Sequence, residues 1–201
     1  DEKTTINGQV WPLNFSRTYS GTQTMRSAMV NSLNTCAVKI WLQVGKDYSV
    51  EMLKKFGITT LVEEGDANDL NASALALGGM TKGTTTLEMA SAFSTFPNNG
   101  VRYDTSSFTK VVDKQGNVIL ENKPKEHKVL DEGVAWIMAD MLSSVVNSVA
   151  ANYAQISGVF VGGKTGTTDD AFDDWFNGFT PTYSASLWIG SDYGISLSDH
   201  S

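Results

Sequence analysis

The chain has 201 residues, with 22 Asp+Glu against 15 Lys+Arg and a net charge of −7. That length predicts one domain or a large piece of one, and a content of 41% hydrophobic and 10% aromatic residues excludes a disordered chain. The acidic balance argues against nucleic acid as a partner, and no apolar run approaches the ~20 residues of a membrane-spanning helix.

Residues 1–23 read as irregular, with aromatic anchors in Trp11-Pro12-Leu13-Asn14-Phe15 and at Tyr19. The polar opening Asp1–Thr5 does not read as a signal peptide. A helix follows, capped by Thr22 or Thr24, with Met25, Ala28 and Met29 on one face. A second runs from Asn34 to Val44, with Val38, Trp41 and Leu42 inward and Gly45 as its stop. A third covers Ser49–Phe56 and closes at Gly57. Residues 58–83 are mixed, with a loop at Glu63–Asn71. Asp66-Ala67-Asn68-Asp69 resembles the start of a calcium loop, but Asn71 and Leu77 stand where an EF-hand needs Gly and Glu.

Thr85-Thr86-Leu87-Glu88 is a capping box that opens the next helix, which ends at Pro97-Asn98-Asn99-Gly100. Phe108–Val112 and Asn117–Leu120 form a hairpin around Asp113–Gly116. Residues 131–146 carry the clearest helical period: Val134, Ile137, Met138, Met141, Leu142 and Val145 make an apolar stripe behind an Asp131 cap. Three strands are expected in the tail, Gly158–Gly163, Trp175–Thr180 and Ser184–Gly190, with a Pro181-Thr182 turn between the last two. Helices ahead of closely spaced strands predict an α+β fold, an antiparallel β-sheet flanked by helices.

Few residues suit metal or redox chemistry. Cys36 is the one cysteine, so no intrachain disulfide forms, and its apolar surroundings read as a buried site. His127 and His200 lack partners at metal-ligand spacing. Asp169, Asp170, Asp173 and Asp174 read as a solvated acidic loop. Trp11, Trp41, Trp136, Trp175 and Trp188 read as core anchors. No cofactor and no metal is expected.

Chemistry concentrates in two stretches. In Gly162-Gly163-Lys164-Thr165-Gly166-Thr167, glycines beside a strand let a ligand or another backbone approach closely. Thr165 and Thr167 alternate, so in a strand their hydroxyls share a face. A cation, two hydroxyls and unhindered N–H groups suit a carboxylate and a developing oxyanion. Gly158 to Thr165 also fits the phosphate-loop pattern G-x-x-x-x-G-K-[ST]. Its middle, Val159-Phe160-Val161, is strand-like, however, and no helix follows Thr165. The second stretch is Ser32-Leu33-Asn34, at the junction of two predicted helices, where a hydroxyl and an amide two residues apart can enter one cleft.

Together, in this order, the two stretches resemble the S-x-N and K-T-G-[TS] motifs of the penicillin-binding transpeptidase domain, most closely that of class A (bifunctional) penicillin-binding proteins. The flanks agree: Asn14 with Tyr19-Ser20-Gly21 and Thr24-Met25-Arg26-Ser27-Ala28, then Gly83–Ala90, Asp174–Pro181 and Trp188-Ile189-Gly190. The resemblance covers nearly the whole chain and implies a serine β-lactamase-like α+β fold. One motif departs from it: no S-x-x-K precedes Ser32. Ser107-Phe108-Thr109-Lys110 has the letters but follows S-x-N and opens a hairpin strand, where positions i and i+3 face apart.

Residues 1–201 are therefore expected to be the C-terminal portion of one transpeptidase domain, without its nucleophile. The resemblance implies a D-Ala–D-Ala transpeptidase that cross-links peptidoglycan through a serine acyl-enzyme, outside the cytoplasmic membrane. It implies Ser32 as proton relay, Asn34 as holder of the acyl amide and Lys164 as the source of a positive field. Thr165, Gly166 and Thr167 would bind substrate or β-lactam. The implied partners are the stem peptide, β-lactams and the N-terminal part of the same domain. The alternative from another class is a non-catalytic penicillin-recognition or scaffold module.

Overall fold

Side-chain capping starts three of the six α-helices among the described residues. The computed structural model, which describes residues 1–6, 8–149 and 151–197, opens with a small hairpin of β1 (Thr5–Ile6) and β2 (Gln9–Val10). The Thr24 hydroxyl then accepts the Ser27 N–H and starts α1 (Met25–Val30). α2 (Asn34–Val44) stops at Gly45, whose φ of +87° disfavours a side chain. α3 (Lys46–Lys55) starts three residues before the predicted Ser49 and ends ahead of Gly57. α4 (Ala72–Leu77) was not among the predicted elements: six residues are too few for a helical period to show. Its cap, Asn71, accepts the Ala74 N–H.

The loop before α4 is organised around a buried carboxylate. Asp69 is fully buried and accepts the N–H groups of Val62 and Thr81 and the Thr81 hydroxyl. Burial works to raise its pKa, and these donors outweigh it and lower the pKa.

α5 (Thr86–Ser94) has the predicted capping box, with both reciprocal bonds formed. Beyond it, β3 (Val101–Tyr103) pairs with β6 (Glu126–Lys128), and the predicted hairpin of β4 (Lys110–Val112) and β5 (Val118–Glu121) is inserted between them. α6 (Glu132–Val146) follows Asp131, whose side chain makes no capping bond. The main sheet is β7 (Gly162–Thr167), β8 (Asp173–Phe179) and β9 (Ser184–Gly190), antiparallel and in that order.

The core lies on one face of this sheet. Ala139 and Leu142 of α6 bury against Phe179 of β8, with Met29, Phe93, Phe96 and Met138 packed around them. The Phe96 ring sits 5.5 Å from Phe93 and 6.0 Å from Phe179. α6 therefore turns Ala135, Ala139, Leu142 and Val146 inward, and only part of the predicted stripe is buried. Val134 and Ile137 are exposed, and Trp136 is 68% exposed instead of being an anchor. Ala135 and Ala139 share the buried face with Leu142, Val145 and Val146, which leaves Val134, Trp136 and Ile137 on the outward one. Leu42 of α2 is likewise exposed, and Cys36 is half-buried rather than buried. On the opposite sheet face, Leu187 and Ile189 are 56% and 53% exposed.

Glu88 couples the capping box to the chain after α3. Burial works to raise its pKa. The Thr59 hydroxyl and N–H, the Thr85 N–H and the Thr84 hydroxyl prevail and lower it to about 2 from an ordinary value near 4.5. A carboxyl depressed on folding stabilises fully above its unfolded pKa and loses that contribution as pH falls toward the folded one. Glu88→Gln is expected to cost about 1–2 kcal/mol at neutral pH, after discounting for partial exposure. The gap from the unsubstituted chain should close as pH drops from about 4.5 toward 2. Urea denaturation across that range checks this, and a gap independent of pH would contradict it.

Candidate active site

Ser32 lies in a two-helix junction that its own backbone shapes. α1 ends at Val30 and α2 begins at Asn34. Between them the chain reverses with Ser32 at φ +50°, a left-handed conformation that is uncommon outside glycine. The turn is closed by the Ser32 N–H donating to Met29 O (3.2 Å) and the Leu33 N–H donating to Ala28 O (2.9 Å). Ser32 does not cap α2: the cap position is Leu33, and no side chain bonds there. The hydroxyl is directed elsewhere.

Its partner is Lys164. The ammonium donates to Ser32 Oγ at 3.0 Å and to the Thr165 carbonyl at 2.9 Å. Two stretches 132 residues apart thus meet in one hydrogen bond. Burial lowers the Lys164 pKa, because the charged form loses hydration in the cleft between the helices and β7.

β7 begins at Gly162, four residues later than the predicted strand, and runs through Lys164 to Thr167. The two glycines explain the register. A Cβ on Gly162 would lie 2.5 Å from the Phe179 ring, and one on Gly163 would lie 2.7 Å from the Phe176 ring and 2.9 Å from the Asn177 carbonyl. Both positions therefore let aromatic rings of β8 lie across β7. Alternation puts Lys164 on the helix-covered face and Thr165 and Thr167 on the other. Gly166 and Thr167 are exposed, and a Cβ on Gly166 would meet nothing nearer than Trp175 at 3.7 Å. Among the described residues β7 pairs only with β8, so its outer edge can receive an extended peptide.

Asn34 opens α2 two residues after Ser32, and its amide is engaged: Nδ2 donates to the Leu13 carbonyl at 2.9 Å. Beside it, Asn14 is buried. Its Oδ1 accepts the Thr35 N–H at 3.3 Å and its Nδ2 donates to the Thr18 carbonyl at 3.0 Å. Residues 13 and 14 thereby hold the first turn of α2, a role that no spacing in Pro12-Leu13-Asn14-Phe15 announces.

The other sequence candidates separate cleanly. The phosphate-loop reading fails because Lys164 and Thr165 sit inside a strand. A 3-10 turn at Asp169–Ala171 and then β8 follow, with no helix to receive a phosphate. Ser107 and Phe108 lie in a bend ahead of β4 rather than in the strand, because Ser106 Oγ donates to Phe108 O and accepts its N–H. Lys110 alone enters the strand. In the acidic loop, Asp173 accepts the Trp188 indole N–H at 2.8 Å. Among the described residues no His/Cys/Asp/Glu group could hold a metal. His127 lies 2.7 Å from Asp104, and His200 lies outside the described residues.

Comparison with known proteins places the chain in a family. Residues 1–191 match the family model of the penicillin binding protein transpeptidase domain. The chain is 37% identical over 200 residues to penicillin-binding protein 1A of Clostridium novyi, covering 98% of this chain and 23% of that protein. It is 40% identical over 182 residues to the Clostridium botulinum (strain Langeland) protein of the same name, covering 90% of this chain and 22% of that one. Among solved structures, the penicillin-binding protein PonA1 from Mycobacterium tuberculosis superposes with a TM-score of 0.81 at 22% identity, covering 96% of this chain and 54% of that one. The chain thus spans about a quarter of the length of the curated relatives it matches.

Proposed function

Because the chain belongs to the penicillin-binding protein transpeptidase family, we propose that it forms the C-terminal part of a serine D,D-transpeptidase domain that cross-links peptidoglycan. The observation that carries the reading is the Lys164–Ser32 hydrogen bond, which joins the K-T-G and S-x-N stretches beside an open strand edge.

The nucleophile in this reading is a serine of an S-x-x-K segment contributed by a longer polypeptide. Its oxygen attacks the carbonyl of the penultimate D-Ala, and the C–N bond to the terminal D-Ala breaks. The departing nitrogen needs a proton. Ser32 is oriented to give one, since its oxygen already accepts from Lys164 and its own hydrogen is free to point into the cleft. The lowered pKa of Lys164 eases replacement of that proton. Lys164 also places a positive charge where the substrate carboxylate and the developing oxyanion arrive. Thr165 and Thr167, whose side chains lie on the face of β7 opposite Lys164, would bind that carboxylate over the strand's outer edge, and the Thr167 N–H would be one oxyanion donor. Asn34 would hold the acyl amide once its donor exchanges Leu13 O for substrate. The acyl-enzyme then passes its acyl group to an amine of a neighbouring strand.

The work would take place on the outer side of the bacterial cytoplasmic membrane, with β-lactams reacting at the same serine. The uncovered apolar side chains of α6 and β9 suit burial by other segments of such a polypeptide.

The test is to treat the full-length protein with a labelled penicillin and map the modified peptide. The expected adduct is on a serine of an S-x-x-K upstream of residue 1. A full-length protein that takes up no label would overturn the catalytic reading in favour of a non-catalytic scaffold.

A further inference from the structure

We propose that Arg26 is a positioning residue of this site: its guanidinium clamps α1 to α6 and so holds Ser32 in register with Lys164. The proposal rests on the transpeptidase reading for its functional meaning, but the geometry it asserts can be tested without any acylation.

Ser32 follows α1 after a single intervening residue, Asn31, while Lys164 belongs to β7, against which α6 packs. The distance between the Ser32 hydroxyl and the Lys164 ammonium therefore depends on where α1 lies along α6. α1 has little else to fix it. It has six residues and one buried side chain, Ala28, and only Met29 reaches the central apolar cluster. A helix that short is not stable by itself and takes its place from tertiary contacts.

Arg26 supplies those contacts. Nη1 donates to the Asp140 carbonyl at 3.0 Å and to Ser144 Oγ at 2.5 Å, and Nη2 donates to the Asp140 carboxylate. One planar fork thus engages a backbone and two side-chain acceptors on successive turns of α6, 114 and 118 residues away in sequence. Three acceptors seen by one rigid group fix translation and rotation, which a point charge cannot do. The two side chains are 44% and 43% exposed, so the ion pair itself contributes little to stability. What it supplies is register.

The experiment uses the full-length protein, labelled at lysine with ¹³C and ¹⁵N, with the Lys164 signal assigned through Lys164→Arg. Two readouts are followed: the nuclear Overhauser contact between the Lys164 Hε and Ser32 Hβ protons, and the pH titration of Lys164. Arg26→Ala should weaken the contact several-fold and Asp140→Ala should weaken it partially, while urea midpoints change little. In both variants the Lys164 titration should rise toward that of an ordinary lysine, because a loosened α1 lets water reach the ammonium. Charge alone predicts otherwise: removing the cation at 26 raises that titration, and removing the anion at 140 lowers it. Arg26→Lys should restore less than half of the lost contact.

An unchanged contact in folded Arg26→Ala, or opposite titration shifts in the two variants, would overturn the proposal. Should Arg26→Ala fail to fold, Ser144→Ala and Arg26→Lys decide by the same readouts. Failure of the transpeptidase reading would show instead as missing penicillin uptake by the full-length protein, with the Lys164–Ser32 contact intact.

Discussion

Lys164→Ala, introduced into a transpeptidase domain that also carries an S-x-x-K segment, is expected to slow acylation by a labelled penicillin about 10²–10³-fold. The side chain donates to Ser32 and to the strand backbone, and its charge faces the cleft where the oxyanion would form. That charge acts on the transition state more than on packing, so rate falls much further than stability. The linkage has a definite sign. Burial lowers the Lys164 pKa below its unfolded value, so the protonated lysine costs the fold stability at neutral pH, and the cost is relieved as pH rises through the folded pKa. Removing the ammonium removes that cost along with two hydrogen bonds. The thermal midpoint at pH 7 should therefore move little while the acylation rate collapses. Equal acylation by the variant would take Lys164 out of the mechanism. Loss of the thermal transition would mean that its role is structural.

The part of this site that was legible in the sequence is the part carried by local rules. Gly45 closed α2 as expected because a positive φ selects glycine, and the Thr85–Glu88 capping box formed because its two bonds join neighbours. Ser32 and Lys164 could be picked out as motifs, but their 3.0 Å contact spans 132 residues, and no periodicity encodes it. The same holds for Arg26 and Asp140, and for Val101↔Lys128, where three-residue strands enclose a hairpin and show no alternation of their own. β7 was expected four residues early because Val159-Phe160-Val161 looks more like a strand than Gly162-Gly163-Lys164 does. The glycines are there to let the β8 rings lie across them, a requirement set by the partner strand. Trp136 shows the reverse error. An apolar residue at helical spacing says that something apolar suits that face, not that the described residues provide it.

This chain by itself, incubated with excess penicillin, is expected to show no added mass by intact-mass spectrometry. Forming an acyl-enzyme takes a serine, a lysine free to accept its proton, and two donors around the new oxyanion. Ser107 and Lys110 have the right letters, but a bend held by Ser106 lies between them and Lys110 begins β4, so the pair lacks the helical geometry that i and i+3 need to meet. Ser32 is the more demanding case, because the fold does bring it a lysine. The arrangement is that of a donor. As an ammonium, Lys164 directs hydrogens to Ser32 Oγ and to the Thr165 carbonyl and presents no lone pair to Ser32. A base for Ser32 would have to present a lone pair in the same place. Each possible result therefore has a distinct meaning. An unmodified chain, alongside labelling of the full-length protein on its S-x-x-K serine, fits the roles assigned here. Mass added on Ser107 would mean that the bend closes into a reactive pair. Mass added on Ser32 would make Ser32 and Lys164 the nucleophilic dyad and overturn the assignment of Ser32 as a proton relay.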